Sequence, residues 1–290
     1  MPLLHATTDE LFCALARSDA EAVHGSFPTA GYRYRYLTWG TSDRPPIVFV
    51  HGMADRSRSF AMVMARLVDA GFRCIAYELP NSLDDAANLG MIRHADLAAD
   101  LLALLDHLNV PVANLVGSSF GTTIALRALA LFPNRFRSAV LMGGFARRPL
   151  LRIERGLSRL ARYWTGRMAD LPFREFVMRR FEGGQFDGCP TEIYDFLLWS
   201  SGDTPCRAAA RRTLLIDKLD LRPLLAEVRH PILMIGGDRD VIVPLPCELE
   251  LHAGLPNVRR VEFSPCGHYP QYTLPGPTAD AIRDFFADPS

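Results

Sequence analysis

The sequence predicts an α/β fold with a mostly parallel central sheet, flanked by helices and interrupted by a helical cap. Short apolar runs alternate with amphipathic segments of helical period, which is typical of a parallel sheet covered on both faces. The alternation stops near residue 144 and resumes near residue 227. We therefore expect a first core part at 1–143, a helical cap at 144–226 and a second core part at 227–290.

The individual elements follow from local patterns. Thr7 to Glu10 offer a capping-box start to a helix that continues through Leu15. Residues 32–39 alternate aromatic residues with arginine, as a half-exposed antiparallel strand does. Buried strands are then predicted at 46–50 and 112–116, further strands at 72–78, 138–142, 232–235 and 258–263, and helices at 59–70, 94–108, 122–131 and 277–286.

The composition favours a globular protein with a sizeable core. Hydrophobic residues make up 49% of the 290 residues, charged residues make up 22%, and the formal net charge is zero. A neutral chain has no overall field that would attract nucleic acid, so we expect no nucleic-acid partner. No apolar run is long enough for a transmembrane segment, and residues 1–8 lack a secretory signal pattern. We expect a cytoplasmic protein.

The cysteines fit a reducing compartment. The six cysteines lie far apart, without a CxxC pair or a metal-ligand spacing with histidine. We therefore expect mostly buried, reduced thiols and no metal site. A bridge between Cys189 and Cys206 is the alternative.

The strongest local motif is Gly117-Ser118-Ser119-Phe120-Gly121, which fits G-x-S-x-G between a predicted strand and a predicted helix. This is the context of a nucleophile elbow, a tight turn that requires small residues on both sides of the serine. Ser119 occupies the central position, close to the positive end of the following helix, and Ser118 is the spacer. Because the five-residue pattern alone is common in loops, it is the predicted strand and helix around it that indicate a nucleophile elbow.

A serine hydroxyl needs a base to remove its proton, and one of the eight histidines is well placed. His268 lies on the loop after the last predicted strand, from which its ring can reach over the sheet edge to the nucleophile. His94 and His107 belong to a predicted helix, and we expect both on its surface. The remaining histidines lie in terminal, loop or helical positions without partners, and they include His5, His24, His230 and His252.

A buried carboxylate must orient this base and stabilise its charged form. Asp238 and Asp240 both follow the strand at 232–235. We favour Asp240, since the apolar run after it would anchor its loop, and we expect Asp238 to hold the turn by hydrogen bonds to backbone N–H groups. Asp217 and Asp220 are weaker candidates inside the predicted cap.

Acyl transfer also needs donors for the developing oxyanion. The backbone N–H of Phe120, directly after the nucleophile, is one candidate. The loop after the strand at 46–50 reads His51-Gly52-Met53, and the N–H of Met53 is the second candidate. We expect His51 to orient this loop without a catalytic role, and a plain turn is the alternative interpretation.

Together these residues resemble the α/β-hydrolase superfamily, in its capped branch of serine esterases and lipases. The resemblance spans about Tyr32 to Phe286 and implies that four motifs supply the oxyanion loop, nucleophile, acid and base. It places Ser119, Asp240 and His268 in the chain order that goes with a G-x-S-x-G elbow. The motifs are His51-Gly52, Gly117-x-Ser119-x-Gly121, Gly237-x-x-Asp240 and Gly267-His268.

One loop departs from the family pattern. After the strand ending at Glu78 the chain reads Leu79-Pro80-Asn81-Ser82, where many relatives carry an Asp and a Gly-rich turn. Because this loop borders the pocket in the family, the specificity of common members does not transfer to this chain. The same loop is also altered in a branch resembling maspardin, whose members can bind partners without catalysis. The complete triad of this chain argues against a purely non-catalytic role.

The predicted cap is rich in arginine and in apolar residues. The helical period places five arginines on one face and five apolar residues on another. The arginines are Arg148, Arg152, Arg155, Arg159 and Arg162, and the apolar residues are Leu150, Ile153, Leu157, Leu160 and Trp164. One interpretation is a helix with its apolar face over the pocket and a solvated Arg face, and the other is an Arg face that docks an anionic carrier or a lipid surface. Aromatic residues that could line the pocket or simply pack are Phe173, Phe176, Tyr194, Phe196 and Trp199.

The sequence therefore predicts a serine hydrolase that cleaves a carboxylic ester through an acyl-enzyme on Ser119, with His268 as base and Asp240 as acid. The expected substrate is a small-molecule ester with an apolar acyl or aromatic group, and the reaction calls for no cofactor. A lactonase or C–C bond hydrolase with the same triad is the alternative, because a fold does not determine a reaction. A binding protein without catalysis is a further alternative. A serine at the elbow excludes the Asp-nucleophile mechanisms of dehalogenases and epoxide hydrolases.

Overall fold

An eight-stranded sheet forms the centre of the computed structural model, which describes residues 4–29, 32–80 and 91–288. The strands are Val23–Pro28 (β1), Arg33–Trp39 (β2), Ile47–Val50 (β3), Cys74–Tyr77 (β4), Ala113–Ser118 (β5), Phe136–Met142 (β6), Ile232–Gly237 (β7) and Val258–Phe263 (β8). Their spatial order is β1-β2-β4-β3-β5-β6-β7-β8, in which β2 runs antiparallel to both neighbours and every other pair is parallel. The predicted fold class is confirmed.

Helices cover both faces of this sheet. Along β3, Val48 and Val50 join one apolar cluster whereas Ile47 and Phe49 join another on the opposite face, since successive side chains of a strand alternate. The helices are Thr8–Glu21 (α1), Ala61–Asp69 (α2), His94–His107 (α3), Phe120–Leu131 (α4), Arg152–Ala161 (α5), Arg174–Glu182 (α6), Thr191–Gly202 (α7), Cys206–Lys218 (α8), Arg222–Leu225 (α9), Leu245–Gly254 (α10), Pro270–Thr273 (α11) and Pro275–Ala287 (α12).

The two faces use different helices. The cluster on the Val48 face includes Leu97 and Leu101 of α3 together with Ile124 of α4. The cluster on the Ile47 face includes Val63 of α2 and Ile282 of α12. The central strands are thus buried on both sides, which explains why their sequences are continuous apolar runs.

Strand β1 and helix α10 are among the elements that the sequence did not predict. In β1 only Phe27 is buried, so its sequence shows little apolar alternation, and the strand exists through its pairing with β2. Helix α10 follows the loop of Asp240, and its buried residues are Glu248 and Leu251. The helix predicted at 59–70 begins as a 3-10 turn at Ser57–Phe60 and continues as α2.

Helices α5 to α9 lie between β6 and β7, and residues 143–231, all of them described, contain no strand of the sheet. The interpretation of α5 as an apolar face over the pocket with a solvated Arg face is wrong in part. Leu157, Leu160 and Trp164 do line the pocket, but Ile153 is 68% exposed outside it, and Arg155 lies toward α8 and forms an ion pair with Asp217 at 2.7 Å. Arg148 precedes the helix and donates to the Ile242 carbonyl oxygen.

All six cysteines are described, and all are free thiols, so the structure contains no bridge between Cys189 and Cys206. Cys74, Cys206 and Cys266 are buried, and Cys13 is exposed. In the ranges that the structure describes, no helix has the length and apolar content needed to span a membrane.

Candidate active site

Ser119 occupies a tight turn between β5 and α4. Its backbone dihedrals are φ 52° and ψ −118°, a left-handed conformation that is uncommon for a residue other than glycine. The turn is held by the Ser119 N–H, which donates to the Met142 carbonyl at 2.8 Å, and by the Thr122 hydroxyl, which donates to the Ser119 carbonyl at 2.6 Å. The half-buried Ser119 side chain is therefore presented at the carboxyl end of the sheet.

The flanking glycines are required by close backbone approach. A Cβ atom on Gly121 would lie 2.0 Å from the Val50 carbonyl oxygen, and one on Gly117 would lie 2.8 Å from the Thr122 Cα. Neither distance is compatible with a side chain, so the G-x-S-x-G spacing has a direct steric cause.

His268 and Asp240 come together from the loops that follow β8 and β7. The His268 Nδ1 lies 2.7 Å from the Asp240 Oδ2, and both side chains are more than nine-tenths buried. The other carboxylate oxygen of Asp240 accepts hydrogen bonds from the backbone N–H groups of Ile242 and Val243, at 2.8 Å and 2.9 Å. Burial opposes ionisation of Asp240, but the charge of His268 and these hydrogen bonds outweigh it and lower the carboxyl pKa.

The competing carboxylates have other partners. Asp238 accepts from the Ser264 hydroxyl at 2.7 Å and from the Cys266 backbone N–H at 2.9 Å, so it anchors the loop that carries His268. Its hydrogen bonds reach the loop after β8 and not only its own turn. Asp217 pairs with Arg155, and Asp220 pairs with Arg222 at 2.6 Å.

The two candidate oxyanion donors lie beside Ser119. A Cβ atom on Gly52 would lie 3.4 Å from the Ser119 Cβ, which places the Met53 loop directly next to the elbow. In the described part of the chain, the backbone N–H groups of Met53 and Phe120 donate to no protein acceptor. Phe120 is the first residue of α4, where an amide has no partner within the helix.

His51 orients the Met53 loop. It is fully buried, its Nδ1 lies 2.8 Å from the Gly52 carbonyl oxygen, and its Nε2 accepts from the Leu79 N–H at 2.9 Å. Burial, together with the nearby charge of Arg212, lowers the His51 pKa to about 3, so the ring is neutral. A neutral ring that uses both nitrogens in this way fixes the loop and has no free nitrogen for proton transfer.

Arg212 is a site residue that the sequence did not reveal. It is 4% exposed, and from α8 it donates to the backbone carbonyl oxygens of Met53 and Pro80. Burial lowers its pKa to about 10, which still leaves the guanidinium charged at neutral pH. A cap helix thus holds the loop that carries one candidate oxyanion donor. Asn81 and Ser82, in the loop that departs from the family pattern, lie outside the described residues.

Two glutamines also complete the site. The Gln185 side-chain oxygen accepts from the His268 backbone N–H at 2.7 Å, which ties the cap to the loop of the candidate base. Gln271 is 1% exposed, lines the cavity around Ser119, and lies 3.4 Å from the Ser118 hydroxyl. No local motif marks either residue, since glutamine is common in loops and helices.

The prediction for His94 is wrong. Its ring is buried, with Nε2 at 2.8 Å from the Thr123 hydroxyl and Nδ1 accepting from the Arg127 guanidinium at 2.8 Å. Burial and the Arg127 charge lower its pKa to about 3. Its packing against α4 reflects tertiary contacts that helical period alone did not resolve. His107 is exposed, as predicted.

A cavity of about 800 Å³ contains the candidate site. Ser119, His268 and Met53 lie in its wall, and the cap supplies mostly apolar side chains to it. Of the aromatic residues proposed from the sequence, Phe173 lines the cavity, whereas Tyr194 and Phe196 are packed in the apolar core. The apolar residues that the cap contributes include Leu157, Leu160, Trp164, Met168, Leu171, Phe173, Val177 and Met178.

Known proteins resemble this chain over most of its length. The family model of the alpha/beta hydrolase fold matches residues 45–275. The chain is 25% identical over 234 residues to 3-oxoadipate enol-lactonase 2 of Acinetobacter baylyi, covering 76% of this chain and 82% of that protein. It is 29% identical over 223 residues to the 2-hydroxy-6-oxo-6-phenylhexa-2,4-dienoate hydrolase of Comamonas testosteroni, covering 71% and 73%.

A solved structure shows the same fold. The thermophilic esterase from Thermogutta terrifontis matches with a TM-score of 0.75 at 19% identity, covering 93% of this chain and 99% of that chain. At this identity the match bears on the architecture alone.

Proposed function

Since the chain belongs to the α/β-hydrolase family, we propose that it cleaves a carboxylic ester through a covalent acyl-enzyme on Ser119. The observation that supports this most directly is the His268–Asp240 pair at 2.7 Å, in which His268 lines the same cavity as Ser119 on its strained turn. Asp240 engages Nδ1 of the imidazole and leaves Nε2 for the serine proton.

Acylation begins when His268 Nε2 accepts the Ser119 hydroxyl proton as Oγ attacks the carbonyl carbon of the ester. The negative charge moves to the carbonyl oxygen, where the N–H groups of Met53 and Phe120 stabilise it. Asp240, ionised because its pKa is lowered, stabilises the imidazolium. The carbon–oxygen bond to the leaving group then breaks, and His268 returns the proton to the departing alkoxide.

Deacylation repeats these steps with water. His268 removes a proton from the water as its oxygen attacks the acyl carbon, and the oxyanion again lies between the two backbone donors. Collapse of the intermediate releases the carboxylic acid and returns the proton to Ser119 Oγ. No net proton remains on the enzyme.

The acyl or aromatic group is proposed to be apolar. Leu157, Leu171 and Val177 line the cavity from the cap, while Asp55 and Glu182 are already engaged by protein donors. Transfer of an apolar group from water into such a wall is favourable, by about 0.8 kcal/mol per buried methylene.

A lactone is the second candidate substrate. The 25% identity to an enol-lactonase favours it, and a lactone is a cyclic ester that the same acyl-enzyme chemistry opens. The leaving oxygen then stays attached to the acyl group until water releases the hydroxy acid. C–C bond cleavage is a further alternative suggested by the relative named as a dienoate hydrolase.

The test is hydrolysis of p-nitrophenyl esters of increasing acyl length, an enol-lactone and a 2-hydroxy-6-oxo-dienoate by the wild type and by Ser119→Ala. We expect kcat/KM to rise with acyl length, and Ser119→Ala to lower it about 10³-fold or more. A matched control is Ser26→Ala, an exposed serine on β1, which should retain wild-type turnover.

Covalent labelling of the nucleophile distinguishes an incorrect substrate class from an incorrect mechanism. A fluorophosphonate probe should modify Ser119, as mapped by peptide mass, and should leave the Ser119→Ala protein unmodified. Folded protein that turns over no ester and resists the probe would contradict the acyl-enzyme proposal. Turnover of the lactone or the dienoate alone would retain Ser119 and replace the substrate class.

A further inference from the structure

The cap presents an unusually apolar outer surface. Ten of the twenty exposed large apolar side chains of the described residues lie between 151 and 181. Exposed apolar side chains on a monomer are usually scattered singly, so their concentration in one segment points to an interaction site. We call it the cap apolar surface, and its members are Leu151, Ile153, Leu157, Leu160, Tyr163, Trp164, Phe173, Phe176, Val177 and Phe181.

Helix α5 leaves its apolar stripe exposed. Ile153, Leu157 and Leu160 recur at helical period on one side, and each is 61% exposed or more. The opposite side carries the buried Ser158 and the Arg155 that pairs with Asp217 of α8. Ile153 therefore lies outside the cavity, whereas Leu157 and Leu160 are exposed and also line it.

The unpaired charge of this segment is positive. Residues 147–182 contain ten arginines and four carboxylates. Each carboxylate accepts a hydrogen bond from the protein, with Glu154 bound to Arg148, Asp170 to the Arg167 N–H, Glu175 to Arg179 and Glu182 to Tyr269. The exposed Arg152, Arg159 and Arg180 form no salt bridge among the described residues, although the charge of Arg159 acts on Asp217.

The cap apolar surface continues into the cavity of Ser119. Leu157, Leu160, Trp164, Phe173 and Val177 belong to both. An acyl group that leaves an apolar phase at this surface would reach the cavity without crossing water.

We propose that the cap apolar surface docks the protein on an anionic phospholipid membrane. Helices α5 and α6 lie in the interface, their apolar side chains enter the acyl boundary, and Arg152, Arg159 and Arg180 meet lipid phosphates. A second copy of this chain is disfavoured, because a two-fold contact would bring arginines against arginines. A folded acidic protein could form ion pairs with the arginines, but it would not provide an acyl phase in which ten exposed apolar side chains are buried.

The test is co-sedimentation with vesicles of phosphatidylcholine alone or mixed with phosphatidylglycerol. Wild-type protein should bind the mixed vesicles at least about tenfold more tightly than the neutral ones. Ile153→Ser/Phe176→Ser/Phe181→Ser should abolish binding, and Arg152→Gln/Arg159→Gln/Arg180→Gln should weaken binding to the mixed vesicles by about tenfold or more. None of these six residues lines the cavity, so hydrolysis of a water-soluble short-chain ester should be unchanged.

Controls keep the result independent of catalysis and of folding. Phe12→Ser and Arg229→Gln, exposed positions outside the cap, should bind vesicles as the wild type does. Ser119→Ala protein should also bind normally, so failure of the proposed ester hydrolysis leaves this inference testable. Three results would overturn the proposal. The wild-type protein does not bind anionic vesicles, the variants bind them unchanged, or light scattering shows a dimer that the same substitutions dissociate. Binding to an acidic carrier protein in place of vesicles would overturn it in favour of that partner.

Discussion

Ser119 and Asp240 show how much of this site is held by backbone groups. A non-glycine residue in a sparsely populated conformation costs about 1–3 kcal/mol, and at Ser119 the backbone hydrogen bond to Met142 and the following helix offset it. At Asp240 two backbone N–H groups occupy one carboxylate oxygen and leave the other for His268. Each proposed role therefore depends on one orientation that the surrounding chain imposes.

Asp240→Asn should lower kcat/KM by about 10³-fold, because an amide that donates to Nδ1 holds the imidazole in the wrong tautomer. The substitution should also change how stability depends on pH. The folded-state pKa of Asp240 is below its unfolded value of about 4, so the wild-type advantage in free energy of unfolding is present above pH 4. It is lost as the pH falls through the lowered pKa.

Denaturant unfolding of both proteins at a series of pH values measures this difference. Asp43→Asn, an exposed loop carboxylate, is the matched control and should show no such change. An Asp240→Asn protein whose deficit in stability stays constant down to pH 2 would argue against an ionised Asp240 in the folded state.

The elbow is an element in which helix, strand and turn constrain one another. Gly121 is the second residue of α4 and lies against the carbonyl oxygens of Val50 and His51, so the helix can approach β3 only without a side chain there. Gly156 in α5 is not sterically constrained in this way, because a Cβ atom there would meet nothing within 4 Å. The comparison shows that glycine is sterically required at position 121 and is not required at position 156.

Gly121→Ala should destabilise the protein by about 1–3 kcal/mol and lower ester turnover, because overpacking must shift α4 or β3. Gly156→Ala should instead stabilise it by up to about 1 kcal/mol, since alanine loses less entropy in a helix. Thermal and denaturant unfolding measure both effects. Equal changes in the two variants would show that the close approach at Gly121 is not rigid.

Across the molecule, the cap is joined to the core at the site itself. Arg212 of α8 holds the Met53 loop, Gln185 holds the His268 loop, and Ser200 of α7 donates to the buried Asp55 at 3.0 Å. The helices between β6 and β7 therefore do more than cover the cavity. They position loops that the sheet alone leaves free.

Arg212→Met should leave the carbonyl oxygens of Met53 and Pro80 without their donor and should lower kcat/KM by about 10- to 100-fold. Loss of the donor to buried carbonyls should also cost about 1–3 kcal/mol of stability. Steady-state kinetics and denaturant unfolding test both effects. Arg207→Met on the same helix, where the arginine makes no hydrogen bond among the described residues, should retain activity. Wild-type kinetics in Arg212→Met would show that the loop is positioned without the cap.

The sequence determined the parts of this protein whose cause is local. Apolar runs predicted the central strands, helical period predicted α3, and the steric demands of the elbow made Gly117 and Gly121 visible as a motif. The loops after β7 and β8 follow the strand ends, so Asp240 and His268 could be named before any contact was known.

Only the tertiary structure decided which side chains meet across long separations in the chain. Arg212 and Met53 are 159 positions apart, and Gln185 and His268 are 83 positions apart, so no periodicity or spacing links them. The burial of His94 and the exposure of the α5 apolar stripe also depend on which helices pack against each face. Local patterns determine which face of a helix is apolar, but packing against the rest of the chain determines whether that face is buried or left exposed.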